Sequence, residues 1–209
     1  MGGGTVSGVW STNFGSSLSY ASADGTAAAS SPQVLQDTTV SGEVILFQGQ
    51  KCGAENTDCG YYRPGSVAHH GFGGARKIFL IEFGMPTNTA NVPAIWLLNA
   101  LIPRTQQYGS CTCWGNTNGC GEIDLFEVLT TSASNYMTSS IHGVQAGGDS
   151  DYFVRPTSGT IKAAIILDGG VLQISVLPST FNFASSLSAT DYATLKSVTN
   201  LVSSVVDLA

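Results

Sequence analysis

Three carboxylates lie within six residues of this sequence, at Glu122, Asp124 and Glu127. Only 11% of the 209 residues are charged, and a solvated strand face would normally carry Thr or mixed charges instead of acids alone. On a helix these three positions scatter around the axis. On a strand, Glu122 and Asp124 point to one side, while Ile123 and Leu125 point to the other, into a core. The spacing therefore predicts a strand with one acidic face.

Glu127 is out of step with that face, because it follows Glu122 by an odd number of residues. A β-bulge near Leu125 and Phe126 corrects the alternation, returns Glu127 to the acidic face and turns Val128 inward. The Cα atoms of the two glutamates then lie roughly 13 Å apart at the usual rise of a strand. Their long side chains can bring the carboxyl groups to the ~5–5.5 Å separation of retaining glycosidases.

Two carboxyl groups at that separation suit the double-displacement cleavage of a glycosidic bond. One is ionised and attacks the anomeric carbon, and the other is protonated and gives its proton to the leaving oxygen. Asp124, between them, can hydrogen-bond the nucleophile and couple the titrations of the set. The alternatives are a plain solvated face and a Ca²⁺ site, although calcium ligands would normally include spaced carbonyls and more side-chain oxygens. We therefore predict no metal or cofactor in catalysis, and a structural calcium ion stays open.

The composition favours an all-β fold and a neutral ligand. The chain has 25 glycines and a length that fits one domain, so residues 1–209 are predicted to form a single catalytic domain, weakly defined over 1–40. The net charge of −6 argues against nucleic acid or an anionic membrane as partner. No apolar run is long enough for a membrane span. No signal peptide is visible, so we expect a mature or trimmed domain, and a monomer.

The five cysteines form two local groups in Gly- and Asn-rich loops. They are Cys52 with Cys59, and Cys111 with Cys113 and Cys120. This pattern favours disulfides in a secreted protein. We expect a Cys52–Cys59 bond and a bond from Cys120 to either Cys111 or Cys113, which leaves one thiol unassigned. A zinc site is the rival interpretation, but neither a C-x₂-C pair nor a histidine close in sequence supports it.

Other segments predict strands around the acidic one. They are 42–47, 76–83, 93–98, 139–144, and a hairpin formed by 161–167 and 171–177 across a Gly-containing turn. A short helix is expected at about 190–198, with Ser188 or Thr190 as its N-cap.

Four further side chains are candidates for substrate binding. Trp96, in the strand 93–98, is either a core aromatic or a sugar platform, because aromatic rings stack on the apolar faces of pyranoses. His142 could hydrogen-bond the acids, although a lone strand histidine is more often structural. Trp114 and Arg63 lie in loop segments rich in Gly and Cys.

Several of these segments resemble known families. Residues 122–127 match the E-x-D-x-x-E signature of glycoside hydrolase family 16, the laminarinase-like enzymes, and 93–98 is similar to the strand PAxWLL of that family. The resemblance is closer to fungal cell-wall proteins of the TOS1-like type. It rests on the segments 59–68, 77–83 and 102–109, and on Cys-x-Cys-Trp followed by Gly-Cys-Gly-Glu, which ends at Glu122.

This resemblance implies a jelly-roll β-sandwich of two antiparallel sheets with a concave substrate cleft. It also implies a secreted, cell-wall enzyme that cleaves β-1,3-glucan internally with retention of configuration. Glu122 would be the nucleophile, Glu127 the general acid/base and Asp124 the assisting acid, with Trp96 and His142 near the cleaved bond. A glucan transglycosylase and a non-catalytic glucan-binding wall protein are the alternatives.

Overall fold

The computed structural model describes twelve stretches of the chain. They are residues 10–11, 15–16, 52–54, 57–59, 70–72, 76–87, 92–98, 122–129, 134–142, 150–184, 186–197 and 203–207. The chain divides into two compact units, one of residues 1–73 and 99–120, the other of residues 74–98 and 121–209. The expectation of a single domain over 1–209 stays a prediction.

The first unit contains a pair of two-residue strands, and the second contains the β-sheets and the helix. The pair is β1 (Trp10–Ser11) and β2 (Gly15–Ser16). The elements of the second unit are β3 (Arg76–Phe83), β4 (Ala94–Leu98), β5 (Glu122–Glu127), β6 (Tyr136–His142), β7 (Ser150–Val154), β8 (Ile161–Asp168), β9 (Val171–Leu177), α1 (Ala189–Lys196) and β10 (Ser203–Asp207).

The second unit is built on two four-stranded antiparallel sheets. One has the order β10-β9-β8-β3 and the other the order β4-β5-β6-β7. This confirms the predicted all-β sandwich of two antiparallel sheets. The jelly-roll path and the concave cleft stay predictions.

The two sheets enclose one apolar core. Side chains from both sheets belong to a single buried cluster, which includes Leu125, Met137, Ile165 and Ile174. Phe126 is fully buried in this cluster, and its ring centroid lies 4.9 Å from that of Phe83 and 5.1 Å from that of Phe153. The strand with the three acids is therefore fixed from behind by aromatic packing.

The helix covers the other face of the β10-β9-β8-β3 sheet. Leu195 of α1 is buried in a second cluster with Ala164, Ile166 and Leu177. α1 begins at the N-cap Ser188, whose hydroxyl accepts the Asp191 N–H, so one of the two predicted caps is confirmed.

The β8–β9 hairpin is confirmed at the predicted position. Its turn, Gly169-Gly170, has φ angles of 61° and 87°, the left-handed values that a two-residue type I′ turn requires and that glycine adopts without strain.

Some elements differ from the expectations. β6 begins at Tyr136, three residues before the predicted strand 139–144, because Met137 continues the alternation of inward side chains. β7 and β10 were not predicted, and the predicted strand 42–47 lies outside the described residues. In the part of the chain that the structure describes, no helix has both the length and the apolar character of a membrane span.

Candidate active site

A β-bulge in β5 is the structural centre of the candidate site. On the β6 side, Asp124 pairs with Ser140 and Glu127 pairs with Thr138, so three steps along β5 match two steps along β6. On the β4 side, Phe126 pairs with Ile95 and Asp124 with Trp96, which leaves Leu125 as the extra residue. The predicted bulge at Leu125–Phe126 is therefore confirmed.

The bulge places two consecutive apolar side chains in the core. Leu125 and Phe126 are both buried, Glu127 is half-buried, and Val128 is buried again. A regular strand would have sent Leu125 and Phe126 to opposite faces and Glu127 inward. The extra residue instead returns Glu127 to the face of Glu122 and Asp124, which we call the acid face of the β4-β5-β6-β7 sheet.

The partners across the strands fix the distance between the glutamates. Glu122 pairs with His142 and Glu127 with Thr138, so the two span four residue steps of β6. At about 3.3 Å per step this corresponds to ~13 Å between their Cα atoms. Two Glu side chains that lean toward each other over this span can reach the ~5–5.5 Å carboxyl separation of a retaining pair.

Two of the three acids are shielded from solvent. Glu122 is 4% exposed and Asp124 is 3% exposed, whereas Glu127 is half-buried. A buried carboxylate is costly unless it is hydrogen-bonded. Asp124 is supported by β6, because the Ser140 hydroxyl donates to its Oδ2 at 3.2 Å and the Ser139 hydroxyl donates to its backbone oxygen at 3.1 Å.

Trp96 lies on the acid face. It pairs with Asp124 across the β4–β5 ladder, while its neighbours Ile95 and Leu97 pack against the core. Trp96 is half-buried, so part of its ring is accessible beside the acids. Its role as a sugar platform stays a prediction.

The remaining predicted binding residues are placed less fully. His142 is the partner of Glu122 in the β5–β6 ladder, which brings its backbone beside the acids, and its side chain is outside the description. Trp114 and Arg63 lie outside the described residues, as do Cys111, Cys113 and Cys120. The roles of all these residues stay predictions.

The predicted pair Cys52 and Cys59 is a disulfide in the structure. A ring nitrogen of His70 lies within 4.8 Å of both sulfurs, an arrangement that could hold a metal ion if the sulfurs were thiolates. The disulfide removes those ligands. His70 instead contacts Asp58 Oδ2 at 2.9 Å, and the Gly53 N–H followed by His70 lowers the Asp58 pKa to about 2.

Sequence reasoning missed the two serines that support Asp124. Ser139 and Ser140 lie in a run of small polar residues, where serine carries no specific signal. The ladder between β5 and β6 is what gives them a role. Because that pairing is non-local, it is not readable from either segment alone.

Comparison with known proteins shows the family of this chain. The family described as "Cell wall protein YJL171C/Tos1, C-terminal" matches residues 1–195. A Saccharomyces cerevisiae protein named "Probable circularly permuted 1,3-beta-glucanase TOS1" is 50% identical over 198 residues, covering 90% of this chain and 43% of the relative. A Candida albicans protein of the same name is 50% identical over 204 residues, covering 88% of this chain and 43% of the relative.

A more distant Saccharomyces cerevisiae relative, "Probable circularly permuted 1,3-beta-glucanase YJL171C", is 37% identical over 202 residues, covering 84% of this chain and 50% of the relative. The chain thus spans half or less of the length of these curated relatives. No solved structure matches it. The resemblance to the TOS1-like proteins is confirmed, whereas the relation to glycoside hydrolase family 16 stays a prediction. The chain belongs to the YJL171C/Tos1 C-terminal family of cell wall proteins.

Proposed function

We propose that this chain carries the active site of a secreted endo-β-1,3-glucanase that cleaves cell-wall glucan with retention of configuration. The observation that carries the proposal is the Leu125 bulge, which puts Glu127 on the same face as Glu122 and Asp124. The names of the relatives, probable 1,3-beta-glucanases, agree with a glucan substrate. A neutral polymer also suits a chain with a net charge of −6, because it is not repelled.

The first half of the reaction uses both glutamates. The Glu122 carboxylate attacks the anomeric carbon, and protonated Glu127 gives its proton to the glycosidic oxygen as the carbon–oxygen bond breaks. The leaving part of the glucan departs with that proton. The sugar stays attached to Glu122 as an ester with inverted configuration.

In the second half, Glu127 is ionised and acts as a base. It takes a proton from water, the water oxygen attacks the anomeric carbon, and the bond to the Glu122 carboxylate breaks. Two inversions restore the original configuration. Asp124 stands between the glutamates and, held by the Ser140 hydroxyl, adjusts the charge at Glu122 through the cycle.

Hydrolysis of laminarin, a soluble β-1,3-glucan, tests the proposal through the release of reducing ends. Glu122→Gln removes the nucleophile while keeping the size of the side chain, so we expect release to fall by at least about 10³-fold. Glu82→Gln is the matched control, because Glu82 lies at the edge of the other sheet, where its carboxylate accepts a hydrogen bond from the Thr160 hydroxyl. It should keep full activity.

Equal release by wild type and Glu122→Gln would contradict the proposal. Product chains longer than the substrate would assign the same acids to a transglycosylase, in which a sugar hydroxyl replaces water. Binding to insoluble glucan without soluble products from the wild type would favour a non-catalytic wall protein.

A further inference from the structure

Exposed apolar side chains are concentrated at one end of the acid face. Five of them are 50–64% exposed, and we call them the apolar rim: Val92, Leu129, Tyr136, Tyr152 and Val154. The described residues include one other exposed large apolar side chain, Phe72, which belongs to the other unit. Single exposed apolar residues are ordinary, but a contiguous group of them on one face marks a binding surface.

The strand register joins the rim to the acids. Glu127 pairs with Thr138, and Thr138 pairs with Tyr152, so these three positions form a straight row across β5, β6 and β7. Tyr136 pairs with Val154 in the next row on the same face. The two tyrosines are diagonal neighbours on adjacent strands, at the ~7–8 Å spacing over which aromatic side chains still interact.

The same rows continue onto the other two strands. The Val128 N–H donates to the Pro93 oxygen at 3.0 Å, which extends the β4–β5 ladder one step past Glu127. The next step places Val92 opposite Leu129. Since Val128 is buried, Leu129 returns to the acid face beyond Glu127. The apolar rim therefore crosses all four strands of the sheet, next to the row that contains Glu127.

The reaction geometry sets the direction of a bound glucan. Nucleophile and acid/base must take opposite sides of the cleaved bond, and here they are separated along β5. A chain that passes between them runs across the strands, toward β6 and β7. Tyr152 flanks this path in the row of Glu127, two strands or about 10 Å away from β5, where it can meet sugar units beyond the one that reacts.

We propose that Tyr136 and Tyr152 form a platform that binds the sugar units of a β-1,3-glucan chain remote from the cleaved bond. The direction of the chain rests on the proposed function, whereas the platform itself rests on exposure and register. A tyrosine ring offers an apolar face to the C–H face of a pyranose and a hydroxyl to its polar edge. Contacts beyond the reacting sugar hold the middle of a long chain in the site, which favours internal cleavage.

The test measures binding in the Glu122→Gln background, by titration with a β-1,3-linked glucose hexamer and with the dimer. Removing the two rings (Tyr136→Ala with Tyr152→Ala) should weaken hexamer binding about tenfold, from the apolar area that stacking buries, and dimer binding less than about twofold. Tyr152→Phe keeps the stacking face of the ring and should lower the affinity for the hexamer by less than about threefold. Glu82→Gln, on the edge strand of the other sheet, is the control and should change neither affinity.

Unchanged hexamer affinity after removal of both rings would overturn the platform. An equal loss of affinity for the glucose hexamer and the glucose dimer would overturn the remote position. If the wild-type protein sediments as a dimer and the double tyrosine variant as a monomer, the rim is instead a surface for self-association. These outcomes are separate from the proposed function, which fails if wild type releases no sugar or if Glu122→Gln releases as much as wild type. In that case intact hexamer binding that depends on the tyrosines would still support the platform.

Discussion

Phe126 is the residue through which the core holds the catalytic strand in its bulged form. It is 0% exposed and contacts one ring from each sheet, with centroids at 4.9 Å to Phe83 and 5.1 Å to Phe153. Phe126→Ala removes the whole ring from a closed site, for which about 3–5 kcal/mol is the usual loss in the free energy of unfolding. That is at least about a fifth of the 5–15 kcal/mol by which an ordinary domain is stable, and most of it in a marginal one.

We expect a second effect on activity. Because Phe126 is the inward residue directly before Glu127, its loss lets the bulge relax and moves the acid/base relative to Glu122. Phe153→Ala is the matched control. Phe153 is equally buried on β7, so its replacement by Ala should lower the free energy of unfolding by a similar amount and lower kcat on laminarin much less. The double variant should lose about 0.5–1.5 kcal/mol less than the sum of the singles, because the two rings contact each other.

Urea unfolding of the three variants measures the free energies by linear extrapolation, and kcat is measured where each variant is fully folded. A loss below about 1.5 kcal/mol for Phe126→Ala would refute the role of this ring in the core. An equal fall of kcat in Phe153→Ala would refute the specific link between Phe126 and the acid/base.

Two predictions concern other parts of the second unit. Arg155 is 3% exposed and donates hydrogen bonds to the backbone oxygens of Met85 at 2.7 Å, Pro86 at 2.7 Å and Ser134 at 3.2 Å. Arg155→Met leaves these acceptors without their donor and should lower the free energy of unfolding in urea by about 3 kcal/mol or more. A loss below about 1 kcal/mol would contradict the role of these bonds. Hydrogen bonds from Tyr192, then Lys196 and Arg76, lower the Asp168 pKa from 3.8 to about 2, so Asp168 stabilises the fold above about pH 4 and this contribution disappears as the pH falls to 2. Asp168→Asn should therefore lower the Tm at pH 6 and flatten its decline between pH 4 and 2, and an unchanged pH profile of Tm would contradict this linkage.

The elements that sequence reasoning found are those with a local signal. The parity of Glu122, Asp124 and Glu127 required an extra residue, and the register shows it at Leu125. The turn of the β8–β9 hairpin was marked by Gly169 and Gly170, because two consecutive left-handed positions favour glycine.

The elements that it missed depend on distant parts of the chain. β7 has only five residues, and its inward Phe153 acquires meaning from the core and from the pairing with β6. The orientation of Trp96 was open for the same reason, since only the pairing with Asp124 places it on the acid face. The burial of Glu122 and Asp124 likewise comes from what packs around them.

The identity of the nucleophile is the central claim, and a trapped intermediate tests it most directly. A β-1,3-linked glucosyl fluoride with fluorine at C2 of the reacting sugar forms the ester with the enzyme quickly and hydrolyses it slowly, so the adduct persists. After digestion, mass spectrometry should find one sugar adduct per chain on the peptide of β5, attached to Glu122. An adduct on Glu127 or Asp124, or turnover of laminarin with no adduct at all, would contradict the account.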